Sequence, residues 1–460
     1  MKNKIELEKP PLRRRLIEDP YAQELYKFFK QNGKELRFVG GCVRDTLLGR
    51  PIHDVDFCTN ATPEEMMSWE LPTGFQRIPT GLQHGTITFV ISRINNFNDL
   101  IIHSGFEVTT LRKDKNCDGR HAEVEFTEDW KEDARRRDFT INALYLDFNG
   151  NLYDYFNGYE HLNKKKLFFI EDTEKRIKED YLRIMRYFRF LVQLEFTGLA
   201  KDFDIITHYS ENLKQISMER KWQEFEKGLA SSHPTDFLSM LFISGVLINY
   251  IPKLTLLSCK KEKKKHHPEG NAWEHTLLAV SNCIPLNLNR VDQRMAVLFH
   301  DIGKVMVAKK LADNMCYNNH DDLGISLIKE LQEELKLPKS ALKLAKMVIY
   351  YHMRFWRLKE MKIGTAYDFV QGITGNFRDF SMVEDFVRCC LADKLGRKDI
   401  TSEQQERIIN EGNTLYSIIK ALYDKCREIS FLDMPNAELI KSEEREKVLK
   451  SYRLQQIQKG

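Results

Sequence analysis

A chain of 460 residues, 42% hydrophobic and 30% charged, can bury several cores and divides into roughly two to four units of ordinary domain size. A net charge of only +4 excludes a uniformly basic coat, so any contact with nucleic acid has to use a local basic surface. Nine cysteines, with no C-x-x-C pair and with Cys389 and Cys390 adjacent, speak against a disulfide framework or structural zinc and fit reduced thiols.

The chain opens with MKNKIELEKPPLRRR, charged with both signs, which excludes a secretory signal and speaks against an organelle transit peptide. No apolar run reaches the length of a membrane span, so a cytoplasmic protein without membrane contact is expected. Asp19 to Gln31 has a helical pattern that stops at Gly33. Arg37 to Val39 reads as a short strand, Gly40 and Gly41 as a turn, Val43 to Leu48 as a short helix, and the segment with Asp54 and Asp56 as a second strand. TPEEMMS starts a capped helix. Thr86 to Ile91, Phe106 to Leu111 and Ala122 to Phe126 are rich in β-branched and aromatic residues. About five strands with a few helices make a small α+β domain to about residue 150.

Beyond about residue 160 the pattern is helical. Lys175 to Gln193 is the most informative helix, because Asp180, Arg183, Arg186 and Arg189 recur every three residues as a slowly turning polar ridge. Leu182, Met185, Phe188 and Phe190 flank that ridge and hold it against a core. Ser217 or Met218 starts another helix. Lys260 to His267 (KKEKKKHH) breaks the composition and reads as a linker or as a patch for RNA phosphates, the linker being favoured.

Two glycines let a backbone approach a bulky anion, and the amides that open the next helix point their positive ends at it. On a strand, residues i and i+2 share a face, which sets Asp54 beside Asp56. Paired carboxylates suit Mg²⁺ better than zinc. A hard cation beside a phosphate cradle implies phosphoryl or nucleotidyl transfer. Glu107, on a later strand, is the candidate third carboxylate, able to draw the proton from an attacking hydroxyl. On the helix, a carboxylate beside a guanidinium complements cytosine and adenine, which offer an amino donor beside a ring nitrogen, and rejects guanine and uracil. Asp180 with Arg183 makes such a pair.

Gly-Gly, Val-Arg-Asp opening a helix, then Asp-x-Asp about a dozen residues later resembles the signature of the nucleotidyltransferase superfamily, and in particular the class II CCA-adding enzymes and bacterial poly(A) polymerases. RRDFTINA and the E-D-x-x-R pattern of Glu179, Asp180 and Arg183 extend the resemblance. It implies a palm-like head, an all-α neck and body, and Gly40, Gly41, Arg44 and Arg137 as ligands of the nucleotide. It further implies a protein template in Asp180 and Arg183, with Arg186 and Arg189 reaching phosphates or sugar. The DKNCDGRHAEVEF segment corresponds to a flexible loop that helps switch between nucleotides. HGTIT, FEVTTLR and DGRHAEVEFT look like the animal mitochondrial branch, which ordinarily lacks the domain considered next.

His275, the His300–Asp301 pair ending an apolar helical run, His320, His352 and Asp393 follow in an order that resembles the HD phosphohydrolase superfamily. Imidazole and carboxylate together hold Mn²⁺, Ni²⁺, Fe²⁺ or Mg²⁺ and activate water for phosphoester hydrolysis. The resemblance makes His275, His300, Asp301 and Asp393 the minimal ligands, with His320 and His352 completing a second site. Such domains accompany bacterial CCA-adding enzymes, where they are associated with phosphatase and 2′,3′-cyclic phosphodiesterase chemistry. The expected layout is a head over 1–150, a helical neck and body over 151–259, an HD domain over 260–400 and a helical tail over 401–460. The expected activity is Mg²⁺-dependent addition of C, C and A to a tRNA 3′ end from CTP and ATP. A poly(A) polymerase, an enzyme adding only CC or only A, and an HD phosphohydrolase that grips RNA with its head stay open as alternatives.

Overall fold

The computed structural model describes residues 4–6, 16–95, 100–115, 123–260, 269–307, 319–434 and 443–459. The turn expected at Asp118 and Gly119, with Arg120 and His121, and the basic run from Lys261 to His267 lie outside them. The chain forms two compact units, Met1–Ile216 and Ser217–Gly460; the division falls inside the stretch read as a continuous neck.

The first unit is built on a mixed eight-stranded sheet. In chain order its strands are β1 (Lys4–Glu6), β2 (Leu36–Val39), β3 (Asp56–Thr59), β4 (Phe75–Gly81), β5 (Thr86–Asn95), β6 (Leu100–Thr110), β9 (Leu144–Leu146) and β10 (Asn151–Asp154). The spatial order is β1-β10-β9-β2-β3-β6-β5-β4. β7 (Arg112–Lys115) and β8 (Glu123–Phe126) form a separate antiparallel ribbon. The five expected strands correspond to β2, β3, β5, β6 and β8. The others escaped sequence reading for local reasons. β1, β7, β9 and β10 are three or four residues long, and β4 carries Pro79, which is tolerated because this strand is an edge of the sheet.

Helix Pro20–Gln31 lies on this sheet. Asp19 caps it by accepting a 2.8 Å bond from the Ala22 amide, and Ala22, Leu25, Phe28 and Phe29 are its buried stripe. The stripe meets Trp69 and Phe89, with ring centroids 5.1–6.2 Å apart. Phe38, Phe57 and Phe148 close the core beneath β2 and β3. Each such ring contributes about 1.5–3 kcal/mol by leaving water, and together they fix the register of β2 on β3.

The expected long helix over Lys175–Gln193 is two helices, Thr173–Glu179 and Leu182–Leu194, broken at Asp180, whose backbone is extended (φ −154°, ψ 107°). Nearly the whole of the second is buried: Arg183 is 8% and Arg189 5% exposed, so of the ridge only Asp180 and Arg186 are half-buried.

The second unit is helical. Helix Met218–Leu229, capped by Ser217, begins it. Its centre is Val291–Phe299, buried from Gln293 to Phe299 and surrounded by Ala272–Ser281, Lys339–Phe355 and Val383–Leu395. Arg294 on this central helix is buried and donates to the carbonyls of Leu229 and Ser231 at 2.6 Å, tying it to the helix that opens the unit. Among the described residues no helix is long and apolar enough to cross a membrane.

Candidate active site and metal centre

The head site begins at Gly40, which caps helix Gly41–Leu47 with φ +73°, a conformation that L side chains rarely adopt. That helix starts two residues before the expected Val43. The Gly40 amide donates to the Leu144 carbonyl at 3.2 Å, so it serves the sheet instead of the cradle. Arg137 is beside the turn: a Cβ on Gly40 would stand 3.6 Å from its Nη1.

Asp56 opens β3 and stands in register opposite Glu107 on parallel β6. Asp54 is not on the strand as expected, because β3 starts at Asp56 and residues 51–55 form an irregular lead-in. Burial raises the Asp56 carboxyl to about 6, the charges of Glu107 and Asp54 add to this, and Arg137 opposes it. Three carboxylates influencing one another suit a site for a hard cation. They are less tightly gathered than the His/Asp groups below, in which one atom from each residue lies within 4.8 Å of the others.

Asp133 organises the arginine run. Its fully buried carboxylate accepts from Arg136 Nε (2.9 Å), Arg137 Nη2 (3.0 Å), the Tyr145 hydroxyl (2.7 Å) and the Arg112 amide (3.2 Å). Burial works to raise its pKa, but Arg136, Arg137 and Tyr145 outweigh that and hold it well below the carboxylate range. Arg137 is thereby fixed between Asp133, the Cys58 thiol at 3.2 Å and Gly40.

Arg44 lies between Asp45 (Nε 2.9 Å, Nη2 2.7 Å) and Asn142, whose Oδ1 accepts from Nη1 at 2.7 Å. On the broken helix, Asp180 Oδ1 accepts the Leu182 amide at 3.1 Å. Arg183 donates to Glu179 (2.8 Å) and to the carbonyls of Arg176 (3.0 Å) and Arg136 (2.8 Å), joining this helix to the arginine run. Arg186 grips Asp138 at 2.8 and 2.6 Å. Arg189 donates to Gln193 at 2.6 Å. Arg50, four residues before Asp54, donates to the carbonyls of Gln193 and Leu194 at the C-terminus of the same helix. The structure therefore gathers the expected residues in two neighbouring sets, the carboxylates with Arg137 and Gly40, and Arg44 with the arginine helix. Asp133, Asp138, Asn142 and Arg50 join them unforeseen. Only Asp138 and Asn142 carried a signal, their i, i+4 spacing within RRDFTINA.

The His/Asp site lies in the second unit and is buried. Asp301 is shared: its Oδ2 is 3.1 Å from His300 Nε2 and 3.9 Å from His275 Nε2, and its Oδ1 is 3.5 Å from His320 Nε2 and 3.8 Å from His352 Nε2. Asp393 Oδ1 closes one side, 3.0 Å from His275 and 3.4 Å from His300. Lys304 Nζ is 2.6 Å from Asp301 Oδ2. All six expected residues converge.

The tautomers follow from the backbone. Gly396 O lies 2.8 Å from Nδ1 of His275, Val297 O 2.7 Å from that of His300, and Val348 O 3.0 Å from that of His352. A carbonyl only accepts, so each Nδ1 carries a proton. His352, kept neutral by burial, presents the lone pair of Nε2 inward, whereas His275 Nε2 donates to Asp393 Oδ1 at 3.0 Å, and Asp393 and Glu269 outweigh burial to raise its pKa to about 10. His300 Nε2 is buried and, although near Asp301, makes no aligned hydrogen bond. That geometry fits a metal ligand. Gly303 makes the approach of His320 possible, since a Cβ there would stand 1.8 Å from the His320 carbonyl. Burial works to raise the pKa of Asp301 and Asp393, yet Lys304 and His300 hold Asp301, and His300 and His275 hold Asp393, below the usual range. Burial depresses His352 to about 4.

The sheet-based head with a carboxylate site, followed by a helical unit with a shared-aspartate metal centre, defines a nucleotidyltransferase joined to an HD domain. Residues 36–168 match the Poly A polymerase head domain, 203–257 the probable RNA and SrmB-binding site of polymerase A, and 272–405 the HD domain. The Multifunctional CCA protein of Halorhodospira halophila is 31% identical over 371 residues, 78% of this chain and 83% of that protein. The chain belongs to the class II tRNA nucleotidyltransferase (CCA-adding enzyme) and poly(A) polymerase family, in the form that carries an HD domain. The mitochondrial CCA tRNA nucleotidyltransferase 1 of Danio rerio is 46% identical over 226 residues, 48% of this chain and 50% of that protein. The chain thus spans about half the length of the animal relatives it matches, in keeping with the motifs it shares with them. The Bacillus stearothermophilus CCA-adding enzyme in complex with CTP has the same fold, with a TM-score of 0.58 at 22% identity over 98% of this chain and 100% of that one.

Proposed function

We propose that the chain is a tRNA nucleotidyltransferase that adds C, C and A to the tRNA 3′ end from CTP and ATP. The observation that carries this reading is the parallel register of Asp56 with Glu107, beside Arg137 and the Gly40 turn. Asp54 and Asp56 would hold Mg²⁺, which supplies charge neutralisation to the triphosphate when bound. Glu107 draws the proton from, or positions, the attacking 3′-hydroxyl. A bond forms from the tRNA 3′ oxygen to the α-phosphorus, the α–β bridging bond breaks and pyrophosphate leaves. Gly40, Gly41, Arg44 and Arg137 receive the triphosphate, Asp180 and Arg183 read the base edge, and Arg186 and Arg189 hold sugar or phosphate. Arg183 as it stands is committed to Glu179 and to two carbonyls, which fixes its orientation before a base arrives. Buried free thiols at Cys42, Cys58, Cys389 and Cys390 fit a reducing, cytoplasmic setting.

A second activity is favoured by one specific observation, the sharing of Asp301 between two groups, His275–His300–Asp301 and Asp301–His320–His352. These residues and Asp393 would hold a divalent transition metal (Mn²⁺, Ni²⁺ or Fe²⁺) or Mg²⁺, which supplies an activated water for phosphoester hydrolysis. The substrate would be a phosphorylated or 2′,3′-cyclic RNA end.

The test offers tRNA transcripts ending before CCA, after C and after CC, with Mg²⁺ and CTP, ATP or both, and sequences the products. Addition that completes CCA and stops supports the reading. Open-ended A tails would make the protein a poly(A) polymerase, partial addition a CC-only or A-only enzyme, and no addition with intact RNA binding would leave the HD half as its chemistry.

A further inference from the structure

We propose that Asn142 is a positioning residue that couples the glycine turn to the arginine helix, so that Arg44 and Arg186 orient a single nucleotide as one unit. The proposal rests on the reading of these two arginines as nucleotide ligands. Arg44 Nη1 donates to Asn142 Oδ1 at 2.7 Å, and Asn142 Nδ2 donates to Asp138 Oδ1 at 3.0 Å. Asp138 Oδ2 in turn accepts both Nε (2.8 Å) and Nη2 (2.6 Å) of Arg186. The two guanidiniums close the circuit on one ring, lying 5.0 and 5.4 Å from the centroid of Phe190.

The chemistry of the circuit leaves little choice at its middle position. Arginine only donates and a carboxylate only accepts, so the group between Arg44 and Asp138 must accept on one side and donate on the other. A primary amide does both. Asn142 is held for that purpose on the short turn Thr140–Asn142, its own amide bonded to the Phe139 carbonyl at 2.9 Å, and is 7% exposed. Asp138 Oδ1 also accepts the Phe139 amide at 2.7 Å, so neither end of the link can swing. On its far side Arg44 is fixed by Asp45 through two bonds. Buried, fully paired links of this kind transmit position because neither partner has water to turn to.

The test compares wild type with Asn142→Asp, which keeps the shape and the acceptor but loses the donor, and with Asn142→Leu, which loses both. Thermal unfolding identifies a variant that does not fold; the near-isosteric Asn142→Asp carries the test if Asn142→Leu is lost. Dissociation constants for Mg-CTP and Mg-ATP are measured by equilibrium dialysis without tRNA, and KM and kcat on a tRNA ending before CCA. Both variants should weaken nucleotide binding and raise KM about tenfold at pH 8, the effect of one buried charge-assisted hydrogen bond, with kcat changed much less. Relative to wild type at the same pH, Asn142→Asp should regain binding as pH falls towards 5.5, because a protonated carboxyl donates to Asp138 again. Asn142→Leu should not. Wild-type protein that binds neither nucleotide would overturn the reading of Arg44 and Arg186 as ligands. Normal wild-type binding with variants that bind equally well, or an Asn142→Asp loss that does not respond to pH, would overturn the coupling alone.

Discussion

The two candidate sites solve opposite problems. In the head, Asp54, Asp56 and Glu107 come from a loop and two neighbouring strands, stay less tightly gathered, and are faced by Arg137. In the second unit, two aspartates and four histidines converge to contact distance in a buried centre. On the proposed reading, a triphosphate would bring its own oxygens to a hard cation in the first arrangement. The second brings its donor atoms together in advance, with backbone carbonyls holding the Nδ1 side of three imidazoles. The looser carboxylate set and the tighter His/Asp set thus mark the difference between the two sites.

The largest effect expected is on the looser site. Asp56→Ala should lower nucleotide addition at least a thousandfold in a radiolabelled CTP incorporation assay, about 4 kcal/mol of transition-state stabilisation. Residual addition within tenfold of wild type would mean that the carboxylates do not hold the reacting cation. Asp133→Ala should cost about 3 kcal/mol in urea unfolding, because it strands the half-buried charges of Arg136 and Arg137. A loss below about 1 kcal/mol would show that these arginines find other partners.

Asp180→Ala should raise misincorporation of GTP and UTP roughly 10–100-fold, the worth of one base-edge pairing, measured by sequencing product ends. The smallest effect concerns pH. The Asp56 carboxyl is raised to about 6 from 3.8, so the folded protein binds the extra proton between those values and loses stability as pH rises through them. Asp56→Asn should therefore stabilise the metal-free protein above about pH 6, by on the order of 2 kcal/mol, and the gain should vanish near pH 3.5. Differential scanning calorimetry across that range decides it.

Much of both sites was legible as sequence because their residues come as short local patterns: Gly40–Gly41, Asp54-x-Asp56, His300–Asp301. What was not legible is what joins the patterns. Nothing in the spelling of RRDFTINA says that Asp138 will face Arg186 forty-eight positions later, or that Asn142 will bridge to Arg44. The break at Asp180 was missed because a ridge repeating every three residues continues across it in sequence, whereas the chain turns there into extended backbone. The edge strand β4 was missed because Pro79 argues against any strand but an edge one, and edges are not visible without topology.

If one chain carries two separable chemistries, a nucleotidyl transfer in the head and a hydrolysis in the HD unit, each should be lost without loss of the other. The most direct measurement offers wild type, Asp301→Ala and the double variant Asp54→Ala, Asp56→Ala a tRNA lacking CCA, ending either in a 3′-hydroxyl or in a 2′,3′-cyclic phosphate. Wild type should hydrolyse the cyclic phosphate to a monophosphate, release that as inorganic phosphate and so extend both ends. Asp301→Ala should extend only the hydroxyl end, and the double variant should carry out both hydrolyses without extending either. Extension of hydroxyl-ended tRNA by the double variant, or its loss in Asp301→Ala, would contradict the account.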